Sequence, residues 1–160
     1  VRIIFLLVAA GAAAFIWLTG QGLPPVVASH FGPGGVANSF MPRTGYLALM
    51  ILLGIGLPAV GVIQFGLVLR RPGARINLPN GAYWLAPERA AATLRFLTEW
   101  FAVFPTLVVV LICDVQFLVV RANTVTPVQM DMRQITLALV GFAVATVIWL
   151  AALFARFAWV

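Results

Sequence analysis

The chain has 160 residues, of which 63% are hydrophobic and only 9% charged, whereas soluble domains carry about 25% charged residues. Its formal net charge of +6 comes from arginines, with no lysine, and most of them stand at the ends of apolar runs. That arrangement suits anionic lipid headgroups and excludes a nucleic-acid footprint. A single cysteine excludes an internal disulfide. One histidine and one cysteine are too few for a three- or four-ligand zinc site or for paired haem ligands, so no metal or cofactor is expected.

Four charge-free stretches organise the chain: Ile3–Gly20, Gly45–Leu69, Phe101–Cys113 with its continuation Val115–Val120, and Ile135–Ala155. About 20 apolar residues in a helix cross a bilayer core. The expected fold is all-α: a polytopic membrane protein with four transmembrane helices over about 3–20, 45–69, 100–120 and 135–157, forming one membrane domain over 1–160. The first run has a basic flank at Arg2, but it is longer than a signal-peptide core and its small residues fall mid-run. It reads as a retained helix.

The loop at 21–44 is rich in Gly and Pro and holds the only histidine, His30. The cluster from Gly32 to Gly35 reads as turn chemistry, and His30 as a residue that fixes the loop against the helix ends by hydrogen bonding. The second span carries Pro58, which removes a backbone donor, and Gln64, able to bond across helices. The loop at 70–99 holds Arg70, Arg71, Arg75, Arg89 and Arg95. Within it, Pro87 suits a first helical position and Glu88 complements the helix dipole. The segment from Pro87 to Trp100 is expected to be helical, either as a short interfacial helix before the third span or as that span's extension beyond the membrane. At its end, Arg95 and Glu99 have the spacing of a weak helical ion pair.

Asp114 is the costly residue of the third span, because a carboxylate at mid-bilayer costs about 2.5–3.5 kcal/mol. Arg121, two turns on, shares its face, and the two form a candidate intramembrane polar site. Gln116 points to a different face. After the loop at 121–134, the fourth span repeats small residues at four-residue spacing (Gly141 with Ala145, Ala151 with Ala155). The first span does the same with Ala9 and Ala13 and with Ala10 and Ala14. Such strips let helices approach closely.

Alternation of sides puts seven arginines on the side of both termini and the 70–99 loop, against three on the other (Arg43, Arg121, Arg133). The positive-inside rule then places both termini in the cytoplasm and the 21–44 and 121–134 loops outside. Trp17 and Tyr46 fall at the outer interface of this scheme, and Trp84, Trp100 and Trp159 near the inner one.

Leu23-Pro24, His30-Phe31, Gly35, Asn38, Phe40 and Arg43 fall at offsets that resemble a short bacterial domain of unknown function, seen near the N-terminus of SdpI-type immunity proteins. That pattern is commonly acidic where this chain has Asn38. The segment Asn77-Leu78-Pro79-Asn80-Gly81-Ala82-Tyr83-Trp84-Leu85-Ala86-Pro87-Glu88-Arg89 resembles the cytoplasmic loop of a small-protein branch of that family. The resemblance implies a multi-pass bacterial inner-membrane protein with an outward His-Phe loop and no established activity. His30, Phe31, Gly35 and Arg43 are then candidate partner or ligand contacts, and Asn77, Pro79, Trp84, Pro87, Glu88 and Arg89 a cytoplasmic motif.

With no Ser–His–acid set, phosphate-binding glycine loop or paired carboxylates, the chain is expected not to be an enzyme. The leading reading is an accessory or scaffold subunit whose partners are the bilayer and other membrane subunits, or a second copy of itself. The alternatives are an immunity or sensing protein contacting a peptide or envelope partner through His30 and Phe31, and a small proton-coupled transporter using Asp114.

Overall fold

A computed structural model describes residues 1–71 and 76–159; Arg75, counted above in the second loop, lies outside them. Among the described residues, four helical segments are long and apolar enough to cross a membrane. The first, α1 (Arg2–Gly20), buries Phe5, Ala9, Ala12, Ile16 and Gly20. Steps of three and four residues place these on one face.

Strands β1 (Val26–Phe31) and β2 (Ala37–Pro42) follow as an antiparallel hairpin with shifts in register around His30. The Gly/Pro-rich loop of the sequence therefore contains a two-stranded ribbon in an otherwise nearly all-α chain.

The second span is α2 (Arg43–Ile51), a π-turn over Leu52–Gly56, and α3 (Leu57–Leu69). Pro58 explains the π-turn: its missing N–H would have bonded the carbonyl one turn back, at Gly54, and the ladder widens there instead of breaking. Gly54 is buried at this point, and a Cβ on it would stand 2.8 Å from Ile112 Cγ2 and 3.5 Å from Ile16 Cδ1. Three spans cross at a residue that has no side chain.

A single turn, α4 (Gly81–Trp84), leads to α5 (Pro87–Phe101) and α6 (Val103–Ala122). Pro87 and Glu88 occupy the first turn of α5 as expected. Only Ala102 interrupts α5 and α6, so the two form one run of 36 residues, about 54 Å long at helical rise. That exceeds a hydrocarbon core of about 30 Å, and the segment from Pro87 is an extension of the third span beyond it. The interruption falls next to the carbonyl that Pro105 leaves without a helical donor.

The last helix, α7 (Met132–Ala158), starts at Asp131, whose carboxylate accepts the Arg133 and Gln134 amides as an N-cap.

The packing is uneven. Helix α1, the second span and α6 bury one another around Ile16, Tyr46, Met50, Val109 and Leu118. Helix α7 keeps its sustained helix contact with α6 alone, and Phe157 is its only buried residue. Ile135, Phe142, Trp149 and Leu153 are half-buried against the bundle, whereas Leu137, Val140, Val144, Val147 and Ile148 point outward, as they can where the solvent is lipid.

Candidate functional site

Inside the three-span core lies a polar cluster. Gln116 is fully buried. Its Oε1 accepts the Tyr46 hydroxyl at 2.9 Å, and its Nε2 donates to Thr19 Oγ1 at 3.0 Å. Thr19 Oγ1 in turn donates to the Phe15 carbonyl at 2.7 Å. Three spans are thus tied by side chains that have no water to turn to. Tyr46, expected at the headgroup level, faces inward instead, because its hydroxyl finds an acceptor on α6. Gln64, expected to bond across helices, is exposed on α3.

At the hairpin end, each residue of the first motif has a definite place. His30 Nδ1 meets Asn38 Oδ1 at 2.6 Å. An amide oxygen only accepts, so Nδ1 carries the proton. The pair ties β1 to β2 within the hairpin, and not the loop to the helix ends as the sequence suggests. The position at which this chain departs from the acidic pattern is the partner of its only histidine. Phe31 packs against the core cluster of this end.

Gly35 has φ +80° and accepts the Met130 amide at 2.8 Å. A Cβ on it would collide with the Met130 carbonyl oxygen. Glycine is required there by both the left-handed backbone and the close approach of the loop before α7. Arg43 donates from Nη1 to the Gln21 and Leu23 carbonyls at 3.2 and 3.0 Å, closing the two ends of the first loop. Asn123, which no sequence signal singled out, bonds both backbone groups of Ala28 at 2.9 and 3.1 Å. It docks β1 onto the end of α6 as a surrogate strand. Exposed on this end are Val26, Val36 and Phe40, each more than half accessible (58%, 59% and 56%).

At the opposite end, the second motif clasps the C-terminus of α7. Asn80 is in the left-handed region at φ 52°, a conformation Asn tolerates. Its Nδ2 donates to the Phe157 and Ala158 carbonyls at 3.1 and 3.0 Å, and Trp84 Nε1 donates to the Phe157 carbonyl at 3.3 Å. These carbonyls have no donor within the helix. Thr93 Oγ1 donates to the Trp84 carbonyl at 2.9 Å, and the Arg156 guanidinium stacks 4.7 Å above the Trp84 ring. Arg89 covers the Tyr83 ring at 3.9 Å. Pro87 and Glu88 set the start of α5, and Asn77 and Pro79 lie on the approach to Asn80.

Asn80→Ala is expected to release this clasp. Losing two hydrogen bonds costs about 1–2 kcal/mol, a factor of roughly 5–30 in local opening. Trypsin cleavage after Arg156 in detergent should accelerate by that factor while overall helicity holds.

The sequence groups Asp114 with Arg121, and the structure does not join them. Arg121 Nη1 donates to Gln134 Oε1 at 3.2 Å, and its guanidinium lies 5.6 Å from the Phe117 ring. Asp114 is exposed and has no ion-pair or hydrogen-bond partner among the described residues. It lines an open groove of about 280 Å³ between α6 and α7, with Val110, Leu111, Ala138, Gly141 and Ala145. A Cβ on Gly141 would meet nothing within 4 Å. Among the described residues, no other helix uses the close approach that this glycine permits.

Nor does Glu99 pair with Arg95: its carboxylate accepts the Arg2 amide at 3.3 Å and lies 3.9 Å from Arg2 Nε. No protein-family model, curated protein or solved structure matches the chain.

Proposed function

We propose that the chain is a non-enzymatic subunit of a bacterial inner-membrane assembly, joined to another membrane protein along the α6–α7 groove. The observation that carries this reading is Asp114. A carboxyl group facing hydrocarbon costs about 2.5–3.5 kcal/mol, and this chain offers it no partner among the described residues. A neighbouring helix carrying a cation or a hydrogen-bond donor would offset that cost, and the vacant side of Gly141 leaves room for its backbone. The outward apolar face of α7 fits the same use. The arginine count supports an orientation with the hairpin end outside and both termini in the cytoplasm. The family resemblance supports a multi-pass protein and implies no established activity.

Asp114→Leu separates this reading from a structural one. The isolated variant is expected to be at least as resistant to thermal unfolding in detergent as the parent, because an exposed charge has left the hydrocarbon. The larger native complex, followed by migration of the chain from gently solubilised membranes, is expected to be lost. A parent chain that always migrates as a lone monomer would defeat the proposal.

A second reading rests on the hairpin end, where Val26, Val36 and Phe40 stand exposed and could meet a peptide or envelope protein. Phe40→Ser would then abolish that contact while leaving the membrane complex intact. The proton-transport reading is weaker, since Asp114 stands on the outside of the bundle and the interior cluster consists of uncharged groups.

A further inference from the structure

Two cavities meet at the arginine-rich end of the bundle. One, of about 310 Å³, runs between α1 and α3 and is lined by Phe5, Leu6, Val62, Ile63 and Leu67, with Arg2 and Arg70 at its mouth. The other, of about 470 Å³, continues from the same Arg2 and Arg70 to Arg71, Arg95, Thr98 and Glu99. An apolar channel facing the membrane thus opens directly into a pocket with four guanidinium groups and one carboxylate.

Geometry fixes the guanidinium shared by both cavities. Gly66 is buried, and a Cβ on it would come within 3.0 Å of an Arg2 terminal nitrogen. The Arg2 guanidinium thus lies against α3 at Gly66. Glu99 accepts the Arg2 amide and its carboxylate stands 3.9 Å from Arg2 Nε, too far for a hydrogen bond, so the buried Nε has no hydrogen-bond partner among the described residues. An unmet donor in a cationic pocket calls for an acceptor anion. The remaining arginines of the pocket, Arg70, Arg71 and Arg95, are exposed and make no ion pair among the described residues.

We propose that this pair of cavities holds one anionic phospholipid, its phosphate among Arg2, Arg70, Arg71 and Arg95 and one acyl chain in the α1–α3 channel. The junction of the two chemistries selects this occupant. A free phosphate would use the arginines and leave the channel unused, and a zwitterionic lipid would fill the channel but bring its own cation to the guanidinium cluster. Basic pockets between transmembrane helices at the headgroup level favour anionic lipids for this reason. The site shares no lining residue with the α6–α7 groove, and its occupancy does not depend on the partner proposed there.

The test is lipid retention by the purified chain in detergent. The protein is equilibrated with equal amounts of phosphatidylglycerol and phosphatidylcholine, and the bound lipid is identified by native mass spectrometry. Parent protein is expected to keep phosphatidylglycerol preferentially. Arg70→Gln with Arg71→Gln should weaken retention by about fivefold per arginine removed. Ile63→Trp, which blocks the channel from the membrane side without touching an arginine, should lower retention and leave the circular dichroism spectrum unchanged. Equal retention of both lipids would overturn the proposal. So would thermal stabilisation by inorganic phosphate matching that by phosphatidylglycerol, or full retention in the channel-blocked variant.

Discussion

Gly54→Leu is expected to destabilise the folded protein by about 2 kcal/mol. The first added carbon would stand 2.8 Å from Ile112 Cγ2 and 3.5 Å from Ile16 Cδ1, and three more carbons would have to enter a crossing shared by α1, the π-turn and α6. Overpacking of a filled core costs about 1–3 kcal/mol and occasionally more. Leucine's better helix propensity returns less than about 1 kcal/mol. The net loss should be about 2 kcal/mol or more, read as a fall in the thermal midpoint in detergent. Gly11→Leu is the control. It adds the same atoms to a helix position where a Cβ meets nothing within 4 Å, and the midpoint should hold or rise slightly. Equal behaviour of the two variants would mean that the π-turn crossing is not packed as described.

The second large effect belongs to Gln116→Leu. Hydrogen bonds between membrane helices average about 0.6 kcal/mol, so losing the bonds to Tyr46 and Thr19 alone is a modest matter. The greater cost is the Tyr46 hydroxyl, left buried without an acceptor, at about 1–3 kcal/mol. Thr19 escapes this fate because its hydroxyl already donates to the Phe15 carbonyl. The two parts together predict a loss of about 2–4 kcal/mol. They also predict that adding Tyr46→Phe to Gln116→Leu restores about 1 kcal/mol instead of costing more. Strict additivity of the two substitutions in an unfolding cycle would refute the cluster.

The contrast between Gln116 and Asp114 marks where the sequence stops being informative. Helical periodicity places the two side chains on different faces, and the structure agrees. It does not say which face turns inward. In water an apolar stripe identifies the buried side of a helix. In a bilayer both sides of α6 are apolar, and that signal vanishes. Asp114 attracted attention through its charge, yet Gln116 forms the interior cluster. The burial of Tyr46 is illegible for the same reason, since an aromatic near a span end suits either a headgroup or a neighbouring helix.

The apolar runs and prolines, by contrast, were legible. Four helices long and apolar enough to cross a membrane carry the apolar runs, and α5 begins at Pro87 as its sequence implies. The β-hairpin escaped notice because its six-residue strands sit among turn residues and lack clean alternation. Its anchor, Asn123, is a distant side chain that no local rule connects to Ala28.

The lopsided packing of α7 bears on how the protein is made. The buried residues of the two larger core clusters come from Phe5 to Met130, all of them synthesised before α7 emerges. The earlier helices can therefore close around Gly54 and Gln116 without waiting for the last one. The clasp of Asn80 and Trp84 on the Phe157 and Ala158 carbonyls can form only once α7 is made. Folding in this order leaves the flank of α6 bearing Asp114 uncovered during synthesis, open to whichever neighbour reaches it first.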